Sequence, residues 1–175
     1  MRQVALDTET TGMNKKRGHD VSDGHRIIEI GLVEIVDGVV TGKKFHSFVN
    51  PQMPVDHKAF LVHGISDDFL SDKPLFKDIA RKVIEFIGDS VILIHNAEFD
   101  VSFLNKEFEM IREEDQPQGK TFKVLDTLKL ARRKCSVANN TLTALCDTFG
   151  IPYSKGHSAL EDAEMLAKLY VRILS

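Results

Sequence analysis

The dipeptide Asp37-Gly38 limits what this chain can fold into more than any other pair of residues. It lies between two runs that read as strands, "RIIEIGLVEIV" before it and "KKFHSFVNP" after it. Asp-Gly tolerates the positive φ angles of a tight hairpin turn, so the two strands become antiparallel neighbours. Residues 2–7 read as a strand ahead of them, and Pro51 stops the third. An antiparallel meander is the economical arrangement of the three.

Beyond Pro51 the pattern changes. "PLFKDIARKVIEFIGD" has helical periodicity, with Pro74 at a first-turn position. "VILIH" is a short apolar run suited to a buried strand, "AEFDVSFLNKEFEMIRE" is helical again, and "TFKVLD" reads as a last strand. Helices follow over about 127–135 and 141–149, with Gly150 as a stop, and a final helix runs over about 159–174. Three antiparallel strands followed by alternating helices and strands predict an α/β fold, a mixed five-stranded sheet flanked by helices.

The 175 residues, with 42% hydrophobic and 28% charged, suffice for one core, so a single domain over 1–175 is expected. The two cysteines, Cys135 and Cys146, lack metal-type spacing and read as reduced packing residues of a cytoplasmic protein. No run reaches the length of a membrane span, and a chain whose first residues already form a strand has no signal peptide. The net charge of -3 argues against a broad electrostatic grip on duplex DNA. It leaves room for a pocket that takes one strand end.

The first strand runs into "LDTETTGMN", which places Asp7 and Glu9 two positions apart. If the strand persists, both point to one face. Alone, the pair fits a strand end that reaches solvent. Asp100 shares a helical stripe with Phe103, Leu104, Phe108 and Ile111, although Glu107 lies near that stripe too. A carboxylate favoured by a helix N-terminus is the bland alternative there. Asp162 shares a face with Ala159, Leu166, Leu169 and Ile173, and "SALE" at Ser158 to Glu161 reads as a capping box just after His157. His157 alone would be an ordinary loop residue. Together the four acids explain one another. Carboxylates that converge without basic partners repel, and divalent cations resolve the conflict. Hard oxygen ligands suit Mg²⁺ or Mn²⁺, and two such ions can clamp a phosphoryl displacement.

"LDTETTG", "HNAEFDVSFL" and "HSALEDAEMLAKLY" resemble, in order, the three motifs of the DEDDh family of 3′→5′ exonucleases, with a histidine five residues before the last aspartate. "TTGMN", "GHRIIEIGLVEIV", "VTGKKFH" and "AFLVHGIS" are similar to the branch of that family that proofreads for bacterial replicative polymerases. The resemblance implies a ribonuclease-H-like fold and release of nucleoside monophosphates from the 3′ end of single-stranded or frayed DNA, using two divalent cations. It implies that Asp7, Glu9 and Asp162 hold the first ion, that Asp7 bridges to the second and that Asp100 holds the second. His157 would take the proton from the attacking water. The acids and His157 would touch the substrate together with Thr10, Thr11, Gly12 and Met13 at the terminal nucleotide. Val62 and His63 would wedge the 3′ end, and Asn96 would lie close by with His95. The implied partners are the polymerase subunit and a small accessory subunit.

Two departures accompany the resemblance. Lys58 stands where a glutamate is common, and a lysine there can reach a phosphate instead. Members of this branch normally continue into a tail that binds the polymerase subunit, and this sequence stops after its last helix. A stand-alone exonuclease that trims RNA or repair intermediates is the alternative within the same chemistry, and a non-catalytic binding module is the alternative outside it. "KLARRK" at 129–134 reads as a solvated helix end, Asp126 as a helix N-cap, and His19, His25, His46 and His57 have no assigned role.

Overall fold

The computed structural model describes residues 1–111, 122–154 and 156–174. Five strands, β1 (Arg2–Thr10), β2 (Ile27–Val36), β3 (Val39–Phe48), β4 (Val91–Ile94) and β5 (Lys123–Asp126), form one sheet in the order β3-β2-β1-β4-β5. β1–β2 and β2–β3 are antiparallel, whereas β1–β4 and β4–β5 are parallel. Asp37 and Gly38 take φ angles of 50° and 77°, the mirror-image turn that the hairpin requires. β3 therefore starts directly at Val39, ahead of the apolar run that marks it in the sequence.

Seven helices surround the sheet among the described residues: α1 (His57–His63), α2 (Asp67–Leu70), α3 (Phe76–Ile87), α4 (Ala97–Glu109), α5 (Thr127–Lys134), α6 (Leu142–Phe149) and α7 (Ala159–Leu169). A π-helical turn, Tyr170–Leu174, extends α7. α1 and α2 were not expected. Pro74 stands just ahead of the N-cap Leu75 and so precedes α3 instead of opening it, while the Leu75 amide donates to Asp78 Oδ2 at 2.9 Å. Gly150 stops α6 in the left-handed conformation, φ 65°. α4 ends at Glu109 with Met110 as its C-cap, short of the expected helix to residue 113, and β5 begins at Lys123; residues 112–113 and the expected strand start at Thr121 fall outside the described residues.

Alternation along the strands sorts the core into two layers. Val4 and Leu6 of β1, Ile30 and Leu32 of β2, and Ile92 and Ile94 of β4 pack with Phe76, Val83 and Ile87 of α3 and Phe103 and Leu104 of α4. Ala5, Val33, Ile35 and Leu93 face the other way, onto Ala163, Leu166 and Ala167 of α7. Fully burying a Leu or Ile stabilises by about 1.5–3 kcal/mol, so both layers are strongly held. The second layer is also close. A Cβ on Gly31 would lie 2.4 Å from the carbonyl oxygen of Ala159, so the first turn of α7 rests on bare β2 backbone.

α4 is tied to the sheet by a buried ion pair. Glu107 accepts from Arg26 Nε and Nη2, both at 2.7 Å, and from the Ile27 amide at 3.1 Å. This accounts for a glutamate in an apolar stripe: the carboxylate fastens the last turns of α4 to the start of β2.

Candidate active site

β1 stays extended through Thr10, so Asp7 and Glu9 do share one face, the α7 face that Ala5 also occupies. Thr8 points the opposite way and is buried, and its hydroxyl donates to Asp100 Oδ1 at 2.7 Å. Asp100 comes from the first turns of α4, directly after the parallel strand β4. Asp162 comes from the first turn of α7 on the other side of the sheet. The end of β1 is therefore where helices from both faces of the sheet can bring carboxylates together.

The electrostatics follow from that convergence. Burial raises the Asp7 carboxyl well above the usual range, and the charges of Asp100, Asp162, Glu9 and Glu29 raise it further. Glu9 is pushed to about 8 by burial and by Asp162, Glu29 and Asp100. Asp100 is pushed to about 7 by burial, against the hydrogen bonds from Thr8. Asp162 rises to about 6 because burial outweighs the favourable nearby His157. Among the described residues no lysine or arginine pairs with any of these four acids. Such a group of uncompensated oxygens is the donor set that a hard divalent cation neutralises.

His157 is exposed, and its Nδ1 lies 3.9 Å from Asp162 Oδ2. One ligand atom from each of Glu9, His157 and Asp162 falls within 4.8 Å of the others, so these three can also hold a metal ion. The capping box expected at Ser158 does not form. Ser158 is the N-cap of α7 but makes no side-chain cap bond; its hydroxyl donates to Glu29 Oε1 at 2.8 Å, and Glu161 accepts from the Ser154 hydroxyl. The backbone still starts the helix through the Asp162 amide and the Ser158 carbonyl, 2.9 Å apart.

The turn after β1 is built mainly from buried groups. The Thr10 hydroxyl donates to the Gly12 carbonyl, and the Thr11 hydroxyl accepts from the Arg26 amide at 3.0 Å. Both side chains are occupied inside the fold, which leaves Met13 as the exposed side chain of the turn. Gly12 has φ 147°, and a Cβ there would meet Asp56 Oδ2 at 2.7 Å.

The end of α1 reaches the same place. His63 Nδ1 accepts from the Ile65 amide, so Nε2 carries the hydrogen that points to the Thr10 carbonyl at 3.2 Å. Burial lowers the His63 imidazole and favours this neutral form, although the bond to Thr10 acts the other way. Val62 and Lys58 are exposed on the same short helix, none of whose residues is buried. Asn96, exposed and left-handed at φ 73°, caps α4 and lines two clefts, one with Met13 and Phe99, the other with His95, Arg132 and Asn140. His95 is occupied by Thr127 and the Asn140 carbonyl, so it braces the strand end.

Two residues near the site had no signal in sequence. Thr8 reads as a spacer between two acids, and its role depends on α4 lying beneath it. Glu29 reads as a polar interruption of "IIEIG", yet it pairs in register with Glu9 and is buried. His46, unassigned from sequence, places Nε2 2.8 Å from Glu29 Oε1. Asp126 is the N-cap read from sequence, accepting from the Lys129 amide at 3.1 Å.

The profile of the RNase T family, described as Exonuclease, matches residues 4–170. The chain is 46% identical over 173 residues to the DNA polymerase III subunit epsilon of Escherichia coli (strain K12), covering 97% of this chain and 70% of that protein. It is 46% identical over 176 residues to the DNA polymerase III subunit epsilon of Buchnera aphidicola subsp. Schizaphis graminum (strain Sg), covering 99% of this chain and 75% of that one. Among solved structures, exonuclease X in complex with 5′ overhanging duplex DNA superimposes with a TM-score of 0.73 at 26% identity, over 97% of this chain and 89% of that one. The nuclease domain of 3′hExo, a DEDDh family member bound to rAMP, has a TM-score of 0.78 at 21% identity, over 98% and 90% of the two chains, a likeness of fold.

Proposed function

The chain belongs to the exonuclease family, and from that premise we propose a divalent-metal-dependent 3′→5′ exonuclease that releases nucleoside monophosphates from single-stranded or frayed DNA and proofreads for a replicative polymerase. The observation that carries the reading is the group of four carboxylates, drawn from both sides of the sheet, with no lysine or arginine among the described residues to neutralise them. Its likeness to DNA polymerase III epsilon subunits supports the polymerase subunit of that enzyme and a small accessory subunit as partners, in the cytoplasm. No helix among the described residues is long and apolar enough to cross a membrane.

In this reading Asp7, Glu9, Asp100 and Asp162 would hold two divalent cations, Mg²⁺ or Mn²⁺, with Asp7, Glu9 and Asp162 serving one and Asp7 and Asp100 the other. When bound, the ions supply positive charge for the phosphate and for the oxygen that leaves. The protein does the rest. Thr8 fixes the Asp100 carboxylate at 2.7 Å. His157 takes a proton from the attacking water as its oxygen forms a bond to phosphorus and the bond to the 3′ oxygen breaks, and the departing 3′ oxygen takes a proton from solvent. A proton gained by the ring is held beside Asp162, which lies on its Nδ1 side. Gly12, Met13, Lys58, Val62, His63 and Asn96 line the approach, where exposed apolar side chains can lie against the terminal base and Lys58 can reach a phosphate.

A labelled primer tests this reading as a single strand, as a paired duplex and with a mispaired 3′ end, each with Mg²⁺ and with chelator. The single strand should be shortened fastest, the mispaired end next and the paired end slowest, because unpairing is easiest at a mismatch. Chelator should stop all three. Metal-independent cleavage or internal cuts would refute the assignment, and faster shortening of RNA than DNA would favour the RNA-trimming alternative.

A further inference from the structure

We propose that Glu29 is a positioning residue that holds the His157 loop at the site through Ser158. The inference rests on the reading of His157 as the proton acceptor. Glu29 lies on β2 directly across from Glu9 and is 1% exposed. Its Oε1 accepts the Ser158 hydroxyl at 2.8 Å and lies 2.8 Å from His46 Nε2. Its Oε2 is buried with no partner among the described residues. A half-satisfied buried carboxylate is a poor device for stability, since the unmet oxygen carries its full desolvation penalty. What this carboxylate does achieve is a fixed link between the central sheet and the residue next to His157.

The surroundings show why such a link is needed and why it falls on Ser158. Gly31, two residues along β2 on the same face, lets the backbone at Ala159 and Leu160 come down onto the strand. That close approach brings Ser158 within reach of Glu29. A serine at a helix N-cap ordinarily turns its oxygen to the helix amides. Ser158 has φ -142° and ψ 128° and gives its hydroxyl to the sheet instead. His157 is itself exposed; its ring lies 3.9 Å from Asp162 and near Glu9, and no hydrogen bond among the described residues fixes it. The loop's backbone direction at residue 158 therefore decides where the imidazole stands. Glu29 and Ser158 act on catalysis through His157, without touching substrate.

Ser158→Ala, Ser158→Thr, His157→Ala and the Ser158→Ala/His157→Ala double variant test the assignment. Two measurements serve: backbone hydrogen exchange over 156–160 in metal-free protein, and kcat and KM on single-stranded DNA at saturating Mg²⁺. Ser158→Ala should exchange faster over 156–160, keep its KM and lose about 10-fold or more in kcat, since a small misplacement of a reacting group is enough for that. Ser158→Thr keeps the hydroxyl and should recover most of the rate. In the His157→Ala background, Ser158→Ala should make no further difference. Parent-like exchange in Ser158→Ala overturns the proposal, as does an equal kcat loss with and without His157. If His157→Ala is as active as the parent, the proton-acceptor reading fails, while the exchange data still judge the tether by itself.

Discussion

Glu9 offers a direct measure of how far the fold depends on a counter-charge. Its carboxyl is pushed from the ordinary 4.5 to about 8, mainly by burial and then by Asp162, Glu29 and Asp100. A folded-state value above the unfolded one means that the folded protein prefers the protonated acid. The stability tied to this group is fully present below pH 4.5, falls as pH rises, and is gone above about 8. Because the unfolded chain ionises Glu9 while the fold keeps it protonated, the stability lost relative to low pH is about 1 kcal/mol at pH 5 and about 3 kcal/mol at pH 7. Glu9→Gln removes the titration and keeps the shape. Urea unfolding in chelator across pH 5–8 should therefore show the parent losing stability as pH rises, and the variant losing about 3 kcal/mol less over that range. Mg²⁺ should restore the parent more than the variant, because the ion stabilises the ionised acid in the folded state alone. A parent curve that is flat or rises between pH 5 and 8, or a variant that falls as steeply, would refute the argument.

Other substitutions test separate parts of the structure. His157→Ala should lose ~10²–10⁴-fold in kcat, the usual worth of a positioned base, while a fluorescence titration finds its affinity for single-stranded DNA unchanged. Glu107→Ala strands Arg26 without its buried partner and should lower stability by about 3–5 kcal/mol in urea unfolding, with Glu107→Gln in between. Gly31→Ala places a methyl 2.4 Å from the Ala159 carbonyl and must lift the start of α7. It should lose about 1–3 kcal/mol of stability, and its kcat should fall because both Asp162 and His157 move with that helix.

The strands were legible because their apolar runs are long and the Asp-Gly turn admits one pairing. α1 and α2 were not, for a physical reason: α1 has seven residues and buries none of them, so no stripe announces it. The acids of the site were legible because each breaks an apolar pattern. Glu107 breaks the same pattern yet is structural, and only its contact with Arg26, 81 residues earlier, tells the two cases apart. Ser158 shows the converse. Its local sequence fits a capping box, and a carboxylate 129 residues away draws the hydroxyl elsewhere. Local pattern can specify an element, but it does not contain the partner that arrives from another layer.

The end of β1 receives Asp100 from beneath the sheet and Asp162 from above it, and Asp162 stands 153 residues after Glu9 in the chain. Synthesis proceeds from the N-terminus, so the ribosome delivers Asp7 and Glu9 first and α7 last. Until α7 docks, the growing chain has an incomplete set of carboxylates and no His157 beside them. On the proposed assignment of Asp162 and His157, chains that end before α7 would not hydrolyse nucleic acid, and hydrolytic competence would begin only once the last layer has closed over the sheet.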